Sequence, residues 1–142
     1  MIPTDPGDAL RARLWDRVAD SYVATPVQRI VGDALRPPDA KDPHGVSQAH
    51  ATLDLAYGML DRQLDGRDHD GWLAGDGFTL ADCAAAPSLH YADVLHPLNR
   101  DAHPALAAYF DRLLTRSSVA RVVDEARPYR ELFPLPWPAH VS

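Results

Sequence analysis

Thr79 stands three residues ahead of Asp82, at the head of the run Leu80-Ala81-Asp82-Cys83-Ala84-Ala85-Ala86. That spacing predicts a capping box. The Thr79 oxygen accepts from the Asp82 backbone N–H, and the Asp82 carboxylate reaches back to the Thr79 N–H, with Asp in the place of the usual Glu or Gln. Phe78 before the cap and Cys83 after it are positioned as a hydrophobic staple. The carboxylate also sits at the positive end of the helix dipole. The run beyond the cap is too apolar and too small-sided for a surface helix, and a helix with no polar face is a buried one. Residues 79 to about 94 therefore predict a central helix with other helices packed around it.

The flanking sequence supplies those helices. Asp5-Pro6 opens the first, with Asp as N-cap and Pro at the first helical position. Leu10, Leu14, Val18 and Tyr22 come next at helical spacing, then Val23, Val27, Ile30, Val31 and Leu35, and these predict its buried stripe. The register shifts near Pro26, where a proline without an N–H predicts a kink rather than a stop. Arg36-Pro37-Pro38 ends the helix. Asp42-Pro43 opens a second, with Val46, Ala49, Leu53, Ala56, Tyr57, Leu60 and Leu64 inward. Its interior Gly58 predicts close approach of another backbone, and Gly66 suits the position just past its end. Pro87 predicts a kink in the central helix, which His96-Pro97 ends. His103-Pro104 starts a helix with Leu106, Phe110, Leu113 and Leu114 inward, and a short last helix carries Val119, Val122 and Val123 and stops before Pro128. Phe133-Pro134-Leu135-Pro136-Trp137-Pro138 predicts extended, polyproline-like backbone. No stretch alternates strictly between hairpin turns, so no sheet is expected. The fold class is all-α, a bundle of about five helices over residues 1–127 with a Pro-rich tail at 128–142.

Composition removes several function classes. The net charge of −6, with 14 Lys+Arg against 20 Asp+Glu, leaves no basic stripe for a nucleic acid or an anionic membrane. The single cysteine, Cys83, excludes an internal disulfide framework and a cysteine-rich zinc site. No apolar run reaches the ~18 residues of a membrane span, and the first residues lack the pattern of a signal peptide. A cytoplasmic protein with no nucleic-acid or membrane partner is the expectation.

The two long helices, then Trp72-Leu73-Ala74-Gly75-Asp76 running into Phe78-Thr79-Leu80-Ala81-Asp82, resemble the C-terminal helical domain of cytosolic glutathione S-transferases. In that family the Ser/Thr-x-x-Asp box caps the buried sixth helix. His103-Pro104-Ala105-Leu106 through Arg116-Ser117-Ser118-Val119 resembles the seventh and eighth helices, with Ser117 where the family often has proline. The resemblance covers roughly residues 8–127. It implies a domain that lines the pocket for a small apolar electrophile and takes part in a homodimer, with glutathione as the co-substrate. It also implies a thioredoxin-like half that holds glutathione and activates its thiol. This sequence carries no βαβ pattern, so no catalytic residue is expected in it, and conjugation is expected only together with that half. The histidine that bacterial relatives can place on the first long helix would fall near Ala24 or Thr25, and it is missing. The alternative is a stand-alone, non-catalytic interaction or dimerisation module of the same fold.

Tyr22, Thr25 and Arg29 share one side of the first helix around Pro26. The resemblance puts this face beside the co-substrate pocket, where Tyr22 or Thr25 would hydrogen-bond a polar group and Arg29 would attract a carboxylate. Cys83, despite its place in the first turn of a helix, reads as a buried, inert thiol. Asp68, Asp70 and Gly71 imitate part of an EF-hand loop, but Gly66 and Gly77 occupy the two end ligand positions, so no calcium site is expected. His90 and His96 are six apart and not at the i, i+4 spacing of helical metal pairs, so no metal is expected. Trp137 either covers a pocket mouth or an apolar patch on the bundle, or belongs to a disordered end.

Overall fold

A computed structural model describes residues 1–66 and 71–141, and the loop over which Asp68 and Asp70 imitate calcium ligands lies outside them. The described residues are helical: α1 (Pro6–Val18), a π-helical segment (Ala19–Ala24), α2 (Thr25–Ala34), α3 (Pro43–Leu64), α4 (Leu80–Leu95), α5 (Pro104–Thr115) and α6 (Ser117–Ala126), with 3-10 turns at Pro38–Ala40 and Arg127–Leu132. α1, the π segment and α2 form one continuous rod, so the architecture is an all-α bundle of five rods. No strand occurs among the described residues. The nearest approach is an isolated bridge between Trp72 and Gly75.

The proline in the first rod explains the π segment. Pro26 cannot donate to the Tyr22 carbonyl, and its ring would crowd that carbonyl in a regular α-helix. The chain inserts a wide turn instead: the Thr25 N–H reaches the Asp20 carbonyl, five residues back, and the Thr25 hydroxyl donates to the same oxygen at 3.0 Å. Wide turns of this kind are a known accommodation inside helices.

The wide turn also resets the phase of the buried stripe. Val23, Val27 and Ile30 are buried as expected, but Leu10, Leu14, Tyr22 and Leu35 lie on the outside, at 68%, 55%, 48% and 70% exposure. The inward face of α1 and the start of the π segment is Ala9, Ala12 and Ala19, with Val23 one turn further on. Its neighbour is the reason. α4 presents Ala81, Ala85, Ala86 and Ala92 to the core, and two small-sided helices pack with their axes close, where a leucine would not fit.

α3 buries Ala49, Leu53, Ala56, Tyr57, Leu60 and Leu64, the stripe expected from its spacing. Asp42 caps it by accepting from the Gly45 N–H at 2.8 Å, and Asp33 holds the approach by accepting from the Asp42 N–H at 2.7 Å. Gly45 is needed there, because a Cβ would stand 2.1 Å from Asp42 Oδ2 and 2.8 Å from an Arg29 nitrogen. Gly58 differs from expectation: a Cβ placed there would meet the side chains of Arg62 and His103, at 3.4 and 4.0 Å, and not another backbone. At the far end, Gly66 takes φ 80°, a left-handed conformation that suits glycine just beyond a helix.

α3 also organises the end of the bundle. Asp61 Oδ1 accepts from the Leu106 N–H at 2.9 Å, so a side chain of one helix caps the first turn of α5. Tyr57 donates to the His96 carbonyl at 2.8 Å where α4 ends. The His96 imidazole bridges His50, with their Nδ1 atoms 3.0 Å apart, and Asp54, 2.6 Å from His96 Nε2.

Candidate functional site between α4 and α6

Asp82 fixes where α4 begins. Its side chain is fully buried and accepts four hydrogen bonds: from the Thr79 N–H at 2.7 Å, the Thr79 hydroxyl at 3.1 Å, the Leu73 N–H at 2.9 Å and the Tyr109 hydroxyl at 2.8 Å. Thr79 is the N-cap in extended conformation, and both halves of the box are in place. The carboxylate half is the stronger. The Thr79 hydroxyl makes its short contact as a donor to Asp82, while its oxygen lies off good hydrogen-bond alignment with the Asp82 N–H. Asp82 therefore does more than cap. It ties the Trp72-Leu73 approach, the start of α4 and the middle of α5 to one carboxylate. Burial, and then the Asp82 charge, push the Tyr109 phenol well above its usual range, so it stays protonated and remains a donor.

Around this hub the aromatic residues interlock. Trp72 packs edge-on against Phe78, with centroids 5.1 Å apart, and against Tyr109 at 6.5 Å. The Arg116 guanidinium lies 3.8 Å from the centre of the Phe78 ring, a cation–π contact. Phe78 thus faces out toward α6 and begins a groove.

That groove is the largest cavity among those described, about 500 Å³, and it runs between α4 and α6. Phe78, Pro87, Tyr91, Val119, Val122 and Val123 give it an apolar wall, with Arg116 and Arg121 as charged groups and Cys83 at the α4 side. A volume of ~300–1,000 Å³ with mainly apolar walls and a few polar groups is the usual form of a small-molecule site. Part of α4 is exposed along it: Pro87 is on the surface and Tyr91 is 37% exposed. The expectation of a wholly buried central helix fails along this side.

Cys83 is half-buried rather than buried, because the groove opens beside it. Its sulfur lies 3.7 Å from the Met1 sulfur. Burial, and then the Asp82 carboxylate, push its thiol up, against a smaller opposing effect of Arg116. The proton stays on, and the thiolate needed for nucleophilic work is disfavoured.

Tyr22, Thr25 and Arg29 lie apart from this groove. Tyr22 and Thr25 are on the outer side of the first rod, and the Thr25 hydroxyl is engaged with the Asp20 carbonyl. Arg29 is 3.6 Å from Asp42, an ion pair with both partners largely exposed. Among the described residues no three His, Cys, Asp or Glu side chains converge in a way that would hold a metal ion. Among the same residues no helix is long and apolar enough to cross a membrane.

The partners that make Asp82 a hub leave little trace in the sequence. The one local signal is an acid at the third helical position of an otherwise apolar run. Tyr109, 27 residues further on, carries no mark that distinguishes it from any other inward aromatic residue. The tail is equally silent. Trp137 folds back beside His90, Tyr91 and Phe133, with centroids 5.8, 6.2 and 5.5 Å away, and its indole N–H donates to the Val141 carbonyl at 3.0 Å. It lines a smaller cavity that adjoins the groove, and does not line the groove itself.

Known proteins place this architecture. The solved glutathione S-transferase of Methylobacillus flagellatus, with glutathione bound, superposes with a TM-score of 0.74 at 24% identity, over 84% of this chain and 58% of that one. The glutathione S-transferase of Methylobacterium radiotolerans, in complex with glutathione sulfonate, gives a TM-score of 0.70 at 30% identity, over 84% and 56%. A glutathione S-transferase-like protein, LUC7, from Fusarium sp is 35% identical over 78 residues, which is 54% of this chain and 34% of the fungal protein. The chain thus spans about a third of that relative and little more than half of the two solved structures. The family model for the glutathione S-transferase C-terminal domain matches residues 8–112, well over half of the sequence, and the chain belongs to that family.

Proposed function

We propose that this chain is the helical half of a glutathione-transferase-type protein, and that its share of the work is to hold an apolar electrophile. The observation that carries the reading is the uncovered side of α4. A helix with no polar face leaves Pro87, Tyr91 and half of Cys83 against a groove of about 500 Å³, where the bundle supplies no further cover. A thioredoxin-like half would close that side and bring glutathione to it. In the conjugation, the glutathione sulfur forms a bond to an electrophilic carbon, and the leaving group departs with the bonding pair. The helical half contributes orientation, which can supply a large part of the rate.

Thiol activation belongs to the other half. Cys83 keeps its proton. The Tyr57 and Tyr109 hydroxyls are buried and already donate, to the His96 carbonyl and to Asp82. Tyr22, Thr25 and Arg29 lie apart from the groove that holds the electrophile, and enter the proposal only as an outer surface of the first rod that would meet a polar part of a substrate once the second half is in place. Thr25 and Arg29 would each give up an existing partner to do so.

Calorimetry tests the division of labour. Glutathione titrated into this chain alone gives no heat of binding, while an apolar fluorescent probe binds and is lost in Val122→Asp. Tight glutathione binding by the chain alone would overturn the assignment of halves. The second reading, a non-catalytic dimerisation or interaction module, is favoured by one feature: Leu10, Leu14 and Tyr22 are exposed on the first rod. Light scattering separates the two. A dimer that Leu14→Glu dissociates, together with no probe binding in the groove, supports the module.

A further inference from the structure

The groove between α4 and α6 is apolar in its walls and one-sided in its charge. Arg116 and Arg121 line it, and no Asp or Glu does. The chain as a whole is acidic, with 20 Asp+Glu against 14 Lys+Arg. A border of arginines without a carboxylate runs against that composition. The two arginines differ. Arg121 stands 3.8 Å from Glu125, a loose and largely exposed pair that already supplies a counter-charge. Arg116 has no carboxylate within ion-pair distance among the described residues.

Arg116 is nevertheless held in place. Its guanidinium lies over the Phe78 ring, 3.8 Å from the centre, and its Nη1 meets the Ser118 hydroxyl. Stacking covers a face of the guanidinium and leaves its edge, where the N–H donors lie, to a partner. Arg116 is half-buried, so that edge is within reach of whatever fills the groove. A fixed fork of donors beside an aromatic wall makes two demands at once, an anion for the fork and apolar surface for the wall. Planar oxyanions meet the first demand best, because they accept two parallel hydrogen bonds from one guanidinium. We infer that the groove takes amphipathic anions: the electrophile carries a carboxylate or a similar acidic group on Arg116, and its apolar body lies along Phe78, Pro87, Tyr91, Val119 and Val122. This rests on the groove being the electrophile's site, and it narrows the substrate class. A neutral compound of the same shape leaves the guanidinium edge to water, and a cationic one meets like charge.

Two fluorescent probes that share one framework test it on the full chain. 8-Anilinonaphthalene-1-sulfonate carries the negative charge, and N-phenyl-1-naphthylamine is the same body without it. Both bind, and both are lost in Val122→Asp, which reports the groove. The sulfonate binds at least about ten-fold more tightly at low salt, as expected for a charge-assisted contact. Added salt narrows the gap, because the pair is only partly shielded from solvent. Arg116→Gln brings the sulfonate down to the affinity of the neutral probe and leaves the neutral probe bound. Arg17→Gln, which removes the same charge from α1 outside the groove, changes neither. The comparison of the two probes on the unaltered protein does not depend on any variant folding. Equal affinities, or a preference for the sulfonate that survives Arg116→Gln, overturn the anionic class and leave the groove as the electrophile's site. Binding of neither probe overturns both.

Discussion

Replacing Asp82 by alanine is the sharpest test of how the bundle is held together. The change strands three buried donors at once: the Leu73 N–H, the Thr79 N–H and the Tyr109 hydroxyl. Each orphaned donor costs about 1–3 kcal/mol, and water entering the space left behind recovers part of that, which gives roughly 4 kcal/mol in total. Against a typical domain stability of about 5–15 kcal/mol this is close to unfolding. At about 4 °C per kcal/mol for a chain of this size, the melting temperature falls by roughly 15 °C. Thr79→Ala removes a loosely aligned acceptor and one donor to Asp82, and costs only about 1 kcal/mol. The order, Asp82 well above Thr79, is the inverse of a simple cap, in which the N-cap side chain dominates. Tyr109→Phe alone costs about 1 kcal/mol, but in the Asp82→Ala background it removes a stranded hydroxyl and should return about that amount. Urea unfolding followed by circular dichroism reads all of these proteins. An Asp82→Ala protein within about 1 kcal/mol of wild type, or additivity of the Asp82 and Tyr109 changes, would show that the buried carboxylate is not the hub.

Three further outcomes rest on the same geometry. Gly45→Ala should lower stability, whereas the same change in an open helix raises it by about 1 kcal/mol, because the new methyl would collide with the Asp42 cap; a higher melting temperature refutes this. His90 is held below its unfolded value by burial and then by Arg130, so the unfolded chain takes up more protons than the folded one as the pH falls through about 6.5. Stability contributed by neutral His90 is complete above that pH and is lost below it, at no more than about 1.4 kcal/mol per pH unit; thermal melts from pH 7.5 to 5 should be steeper for wild type than for His90→Gln, and parallel curves refute this. Cys83 should react with iodoacetamide more slowly than free glutathione at pH 7.5, and an equal or faster rate refutes the protonated thiol.

The bundle is legible in the sequence because the rules that build it are local. Asp5-Pro6, Asp42-Pro43 and Thr79 mark the starts of α1, α3 and α4 through bonds that span three residues. The buried stripe of α3 needs only a 3.6-residue period. The first rod is harder to read for a reason of the same kind. Two stripes are available, one of leucines and one of alanines, and periodicity cannot choose between them. The choice is made by α4, whose alanines accept only small neighbours, and by the turn at Pro26 that resets the phase. The site is less legible still, because its members are distant in the chain, as Phe78 is from Arg116.

The same alanines explain why an open groove can coexist with a well-fixed core. α4 spends its small residues on α1 and the π segment, and Asp82 ties its start to α5, so the helix is packed on every side but the one that faces the groove. Its other side looks across the groove to α6, which has no fully buried residue, carries Val122 58% exposed on its surface, and is reached through the short turn at Arg116. A helix that buries nothing completely gains little from its own bundle to offset its ordering entropy. α6 and the outer face of α4 are thus two half-finished surfaces that face one another, and a third body between or across them would complete both. That predicts an order of events on heating. α6 and the tail should lose hydrogen-exchange protection before α3 and α5, and occupancy of the groove should raise protection in α6 more than in α3. Equal protection across the five rods, with no change when the groove is filled, would show that α6 already has the packing it needs.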